Sequence, residues 1–188
     1  MKDLFDIIPV LDNGNICLKK VTISDLESIK DMLLCTDVYR YVPPFVPELQ
    51  CNGNIEYFIN TMCKKLFDKK VAIILGIYSK YYNDQLCGLF ELYHYISDEM
   101  KVSIGYRLNK EFWNKGIATE ATSLIINYLF NQTDITTISS SNMVDNPASG
   151  RVLEKNGFFR IEEAILEEWG FSQKVYVDKW MLKKTKLK

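Results

Sequence analysis

The sequence is short of the residues from which metal and disulfide sites are built. Its 188 residues hold one histidine, His94, and five scattered cysteines, Cys17, Cys35, Cys51, Cys63 and Cys87, with no Cys-x-x-Cys pair. No familiar zinc pattern can be assembled from that set, so no metal is expected. An odd number of scattered thiols, with no leader-like segment at the start, fits a reducing cytoplasm better than a disulfide framework. No stretch approaches the roughly 20 apolar residues that span a bilayer, so no membrane partner is expected either. An excess of one charge is also missing. With 23 Lys and Arg against 24 Asp and Glu, no overall field favours nucleic acid or an anionic surface. The Lys-rich tail at 183–188 reads as a solvated terminus.

What is present is a hydrophobic content of 47%, enough for one well-buried domain over 1–188 with no compositional break. Seven runs read as strands: 16–21, 71–79, 86–95, 100–108, 135–141, 158–166 and 175–182. Thr22 to Asp25 looks like a helix cap before the face formed by Leu26, Ile29 and Leu33. Ile55, Phe58, Ile59, Met62, Cys63, Leu66 and Phe67 follow helical spacing and form a second core stripe. Between these helices Tyr39, Tyr41, Pro43, Pro44, Phe45 and Pro47 crowd together, and the prolines exclude one continuous helix. Such a loop serves either as a cleft wall or as a cover for the core.

The most telling stretch is Trp113, Asn114, Lys115, Gly116, Ile117, Ala118, Thr119, Glu120 and Ala121. It joins a strand to a helix whose apolar face is Ala118, Ala121, Leu124, Ile125, Tyr128 and Leu129. The first amides of a helix lack intrahelical partners and carry the positive end of its dipole, so this turn can hold a phosphate. Further on, Asn146 can cap a helix, Pro147 suits its first position, and Gly157 suits the left-handed residue beyond its end. Phe158 should then pack back on Leu153. That helix accounts for most of its own sequence but makes no demand for Ser149.

Taken in order, Ile104-Gly105-Tyr106-Arg107-Leu108, the turn from Trp113 to Ala121, Asn146, Ser149, Leu153 to Phe158, the early segment 37–43 and Asp178 resemble the GNAT acetyltransferases. The likeness is to the branch of ribosomal-protein N-terminal acetyltransferases of the RimJ/RimL type, and it covers nearly the whole chain. It implies an α/β (α+β) fold: a central mixed, mostly antiparallel twisted sheet of about seven strands flanked by helices. A splayed strand pair, 102–108 and 135–141, would form the acetyl-CoA cleft.

The resemblance further implies that the main chain of Tyr106, Arg107 and Leu108 pairs with the pantetheine arm. An amide near Leu108 would donate to the thioester oxygen. The amides of Trp113, Asn114, Lys115, Gly116, Ile117, Ala118 and Thr119 would receive the pyrophosphate, and Asn146 and Ser149 would line the opposite wall. The reaction it implies is direct attack of a neutral amine on the thioester. The tyrosine acid common in the family is replaced by Leu153, which turns attention to Ser149 as the group serving the sulfur. The family's frequent glutamate before Ile-Gly-Tyr is replaced by Ser103, so the base stays open among Glu91, His94, Glu167 and Glu168. By strand alternation Glu91 and Tyr93 share a face that His94 does not. Asn114 stands where the family often has Gly, and Asn tolerates left-handed geometry. Asp178 reads as a structural hydrogen-bonding residue. The acceptor implied by the branch is a protein N-terminal amine. The alternatives are a small amine (aminoglycoside, polyamine or amino acid) or a CoA-binding module without catalysis, and a homodimer is compatible with the family.

Overall fold

The computed structural model describes residues 3–185, so the ends of the chain, including the last three residues of the Lys-rich tail, lie outside the described residues. Eight strands form one sheet in the order β1-β2-β3-β4-β5-β6-β8-β7. They are β1 (Leu11–Asp12), β2 (Ile16–Lys19), β3 (Ala72–Ser79), β4 (Gln85–Ile96), β5 (Lys101–Leu108), β6 (Thr137–Met143), β7 (Phe159–Glu167) and β8 (Val175–Lys183). The strand count exceeds the expected seven because the two-residue β1 pairs with β2, its turn fastened by Asn13 and Asn15 side chains that donate to Glu120. All neighbours are antiparallel except β5 and β6, which run parallel.

β3 explains why the sheet has a core on both sides, since every one of its residues is buried. Ile73, Leu75 and Ile77 join a cluster with Ala121, Ile125 and Leu129, whereas Ile74 and Tyr78 join one with Ile29, Phe58 and Ile59. Alternate side chains of one strand therefore feed two layers. The first layer is covered by α6 (Ile117–Gln132), whose buried Ala118, Ala121, Ile125, Tyr128 and Leu129 recur at helical spacing. The second is covered by α1 (Leu26–Leu34), α4 (Ile55–Tyr57) and α5 (Cys63–Asp68). Between α4 and α5 a π-helical turn, Phe58–Met62, interrupts the helix that the sequence spacing suggests is continuous. The proline-rich segment carries two short helices, α2 (Thr36–Tyr39) and α3 (Pro47–Gln50), with Pro47 opening the second. It is a loop with two helical turns and no continuous helix between them, as the prolines require.

α7 (Pro147–Lys155) has the expected ends. The Asn146 side chain accepts from the Ser149 amide at 3.3 Å. Gly157 has φ +81°, and the Phe158 amide donates to Leu153 O at 3.1 Å. No helix among the described residues is long and apolar enough to cross a membrane.

Candidate active site

β5 and β6 part company early. Their parallel pairing runs only from Lys101–Thr137 to Ser103–Ser139. At the fork, the Ser103 and Ser139 hydroxyls lie 2.9 Å apart and the Ser140 hydroxyl donates to Ile104 O at 3.0 Å. Beyond it the strands diverge around a cleft of about 1450 Å³ that extends from α6 and α7 to the proline-rich loop and the β7–β8 hairpin.

The main chain of β5 alternates between its two sides. Ile104 O faces β6, and the amide of Asn109 donates to Cys87 O on β4 at 2.9 Å. Even-numbered residues therefore turn their amide and carbonyl groups toward the fork, and odd-numbered ones turn theirs toward β4. This corrects the expectation for residues 106–108. Tyr106 and Leu108 present main-chain groups to the cleft, whereas Arg107 turns its own to β4. Leu108 O is already held by the Trp113 indole nitrogen at 2.9 Å.

The turn before α6 needs left-handed backbone at two positions, Asn114 (φ +60°) and Gly116 (φ +80°), and the residues there supply it. One expected phosphate donor drops out, because the Trp113 amide bonds Lys110 O at 3.2 Å. The first helical bond runs from Glu120 to Gly116 O, which leaves the amides of Ile117, Ala118 and Thr119 without intrahelical partners. Three cations border this end, Lys115, Arg151 and Lys155. The Asn156 side chain donates to Thr119 O at 3.2 Å and so ties the end of α7 to the start of α6. Asn142 ties down the other end of α7: it accepts from the Trp180 indole at 2.6 Å and donates to Met143 O at 2.7 Å and to the O of the cap residue Asn146 at 3.3 Å. These amides, cations and free strand groups suit a phosphorylated, amide-bearing cosubstrate such as acetyl-CoA.

Ser149, half-buried on the first turn of α7, faces Tyr106 across the cleft. Burial pushes the Tyr106 phenol up to about 12, with the Ser149 side chain pulling in the opposite direction.

On the other face of β4 and β5 lies a cluster of charges that the sequence did not reveal. Arg107, 5% exposed, donates through Nη2 to Glu91 Oε1 at 2.6 Å and through Nε to Glu48 Oε1. Glu48, on α3, is fully buried, and it also accepts from the Tyr39 hydroxyl at 2.9 Å. Glu91, 8% exposed, borders the cleft. Burial pushes its carboxyl up to about 7, Arg107 opposes that rise, and Glu48 adds to it. Tyr93 stands beside it, its phenol raised to about 12 by burial and by the Glu91 charge. A hint of the cluster lies in the sequence, where Glu48 follows Pro47 as a lone acid in an aromatic loop.

The other candidates for a base sit differently. Glu168 is exposed after β7 and pairs with Lys174 at 3.7 Å. Glu167 pairs with Lys179 at 2.6 Å, and that lysine and the Trp169 indole hold its carboxyl below the usual range against the effect of burial. His94 departs from simple alternation. It takes φ +49° in a register break of β4, so it borders the cleft together with Tyr93, their rings 4.9 Å apart. Asp178 accepts from the Ala164 amide at 3.0 Å and faces Arg160 at 3.6 Å, outside the main cleft. Glu91 and Ser149 thus both border the cleft, from opposite faces of β5, and the exposed Glu168 borders it as well. No group of three or more potential metal ligands occurs among the described residues.

Residues 15–159 match the family model of the acetyltransferase (GNAT) domain. The chain belongs to the GNAT acetyltransferases and is an N-acetyltransferase of that family. The uncharacterised N-acetyltransferase YoaA of Bacillus subtilis (strain 168) is 27% identical over 165 residues, 87% of this chain and 89% of that one. Among solved structures, RimL, the ribosomal L7/L12 alpha-N-protein acetyltransferase in complex with coenzyme A, superposes with TM-score 0.77 at 15% identity, over 93% of this chain and 98% of that one. A spermidine N-acetyltransferase from Vibrio cholerae, in complex with CoA and spermine, gives TM-score 0.72 at 17% identity over 91% and 96%. At these identities the two structures share the fold with this chain, and their acceptors differ from one another.

Proposed function

We propose that this chain is one cytoplasmic catalytic domain that moves the acetyl group of acetyl-CoA to a protein N-terminal amine, with Glu91 as the general base. The observation that carries this reading is the place of Glu91, a buried carboxylate in the wall of the cleft that Arg107 holds by one oxygen at 2.6 Å and whose proton affinity burial raises. An α-ammonium has a reference pKa of about 7.7–8.0 against about 10.4 for an alkylammonium, so any carboxylate base deprotonates a chain terminus more readily. A chain terminus therefore asks less of Glu91 than a polyamine or lysine does. Charge supports the same choice. Four of the acids bordering the cleft already have cations: Glu91 with Arg107, Asp37 with Lys110, Glu167 with Lys179 and Glu168 with Lys174. Of the bordering acids, Glu162 and Asp145 are left to attract a second ammonium.

In this mechanism Glu91 takes the proton of the α-ammonium, the neutral amine nitrogen so formed bonds to the thioester carbon, and the further proton that this nitrogen sheds leaves with the thiol. The oxygen takes up negative charge beside the Leu108 amide. The C–S bond then breaks, and Ser149 hydrogen-bonds the departing sulfur, whose thiol reference near 8.5 asks for only modest help.

Acetyl-CoA turnover on a panel of free-N-terminus peptides, N-blocked lysine peptides and spermidine tests the acceptor. A kcat/KM at least tenfold higher for the best N-terminal peptide is expected. A higher value for spermidine or lysine would overturn this reading.

A further inference from the structure

Arg107 is shared between two carboxylates that reach it from opposite directions. Glu48 comes from α3, 59 residues away in sequence, and takes Nε, whereas Glu91 comes from the neighbouring strand and takes Nη2. A guanidinium can grip a carboxylate with two parallel bonds, and here that fork is divided. Glu91 receives one bond instead of two, and its Oε2 has no hydrogen-bond partner among the described residues. Glu48 does not border the cleft, so it cannot meet either substrate directly. Its Oε2 is buried with no partner, a costly arrangement for a residue whose only task is to hold the loop.

We propose that Glu48 is a positioning residue for Glu91: by occupying the Nε edge of Arg107 and placing a second negative charge behind it, Glu48 keeps the Glu91 carboxylate a proton acceptor at the cleft wall. The inference rests on the reading of Glu91 as base. Without Glu48, the whole guanidinium charge would serve Glu91. A carboxylate beside an uncontested cation holds its proton poorly and makes a weak base at neutral pH.

The groups facing this pair are few. From β5 there is Arg107, and from β4 itself Tyr93, whose phenol feels the Glu91 charge. From α5, Cys63 feels both carboxylates, and its thiol is pushed up to about 12, chiefly by burial; Cys51, at the end of α3, is pushed up by burial and by the Glu48 charge. From α2, Tyr39 touches Glu48. On β3 the residue paired with Glu91 is the apolar Ile74. Of these, Arg107 is the only cation, so division of its bonds controls the balance.

Glu48→Gln keeps the shape and an acceptor for Tyr39 and Arg107 while removing the charge. Two readouts are taken on the full chain: the titration of the Glu91 side-chain carboxyl by carbon NMR, its signal assigned by its loss in Glu91→Gln, and the pH profile of kcat/KM. In Glu48→Gln the Glu91 midpoint should fall by about one pH unit or more, and the acid limb of kcat/KM should move down with it. Tyr39→Phe keeps both carboxylates but strips Glu48 of its phenol donor, so Glu48 competes harder for Arg107 and the Glu91 midpoint should rise. A Glu91 midpoint unmoved in folded Glu48→Gln overturns the inference. Should Glu48→Gln fail to fold, an unmoved or lowered midpoint in Tyr39→Phe overturns it instead. A midpoint that moves while the acid limb stays in place sustains the coupling and removes Glu91 from the role of base, so the two readings fail separately.

Discussion

The Trp113 indole donates to the carbonyl oxygen of Leu108 across 2.9 Å, joining the end of β5 to the turn that opens α6. The contact fixes the turn before α6 relative to the strand edge and occupies the last carbonyl on that edge. Trp113→Phe removes the donor and keeps an aromatic ring. The KM for acetyl-CoA should rise about three- to tenfold, the worth of one net hydrogen bond, with kcat little changed. Steady-state kinetics at saturating acceptor checks this, and a fall in kcat alone would contradict it.

Ser149 is held to α7 by its main chain, since its amide donates to the Asn146 side chain at 3.3 Å. Ser149→Ala therefore preserves the helix start and removes only the hydroxyl. The single-turnover rate should drop about tenfold, while the affinity for CoA, read by calorimetry, stays within about twofold of wild type. An unchanged single-turnover rate would remove Ser149 from any role at the sulfur.

Glu91 links activity and stability to pH with opposite signs. In its proposed role as base it must be ionised, so kcat/KM should climb about tenfold per pH unit as pH rises toward about 7. For stability, the unfolded carboxyl titrates at about 4.3 and the folded one at about 7. Between these values the native state binds more protons. Its stabilisation is complete at the acid end and is lost as pH rises toward 7. Glu91→Gln should abolish the activity limb and flatten this stability slope, as measured by urea denaturation at pH 5 and pH 8.

Gly88 on β4 sits under the end of β5, where a Cβ would collide with Arg107 O and come within 2.8 Å of Leu108 Cα. Both are main-chain atoms and cannot swing aside. Gly88→Ala should cost about 1–3 kcal/mol and displace the edge that carries Leu108. Thermal and urea unfolding, with kcat/KM alongside, check both effects.

The parts of this site legible in sequence are those written locally. Asn146, Pro147 and Gly157 fix both ends of α7 within a dozen residues, and Asn114 and Gly116 mark the turn by the backbone they tolerate. Strand alternation gave the correct neighbours for Glu91 but failed at His94, because a positive φ in a register break cannot be read from apolar spacing. The same alternation rule, applied to the main chain, shows why Arg107 turns from the cleft. That step needed to know which strand lies on each side of β5. Glu48 stands out in sequence only as a lone acid in its aromatic loop, and its partner is hidden for a different reason. The burial of Glu48 depends on α3 docking against β5, and nothing near residue 48 announces a guanidinium at residue 107. Trp113 likewise spends its amide on Lys110 through a helical turn whose presence the sequence did not signal.

The fork between β5 and β6 is a sheet edge placed inside the molecule. Past Ser103 and Ser139, Tyr106 turns main-chain groups toward a strand that is no longer there to meet them. A pantetheine arm laid along that edge would act as a short prosthetic strand, completing the sheet as well as serving the reaction. Loss of the cosubstrate would then leave more than an idle enzyme. It would leave an open template for stray β-pairing, so acetyl-CoA at a hundred times its Kd should stabilise the fold by about 2.7 kcal/mol and suppress aggregation on heating.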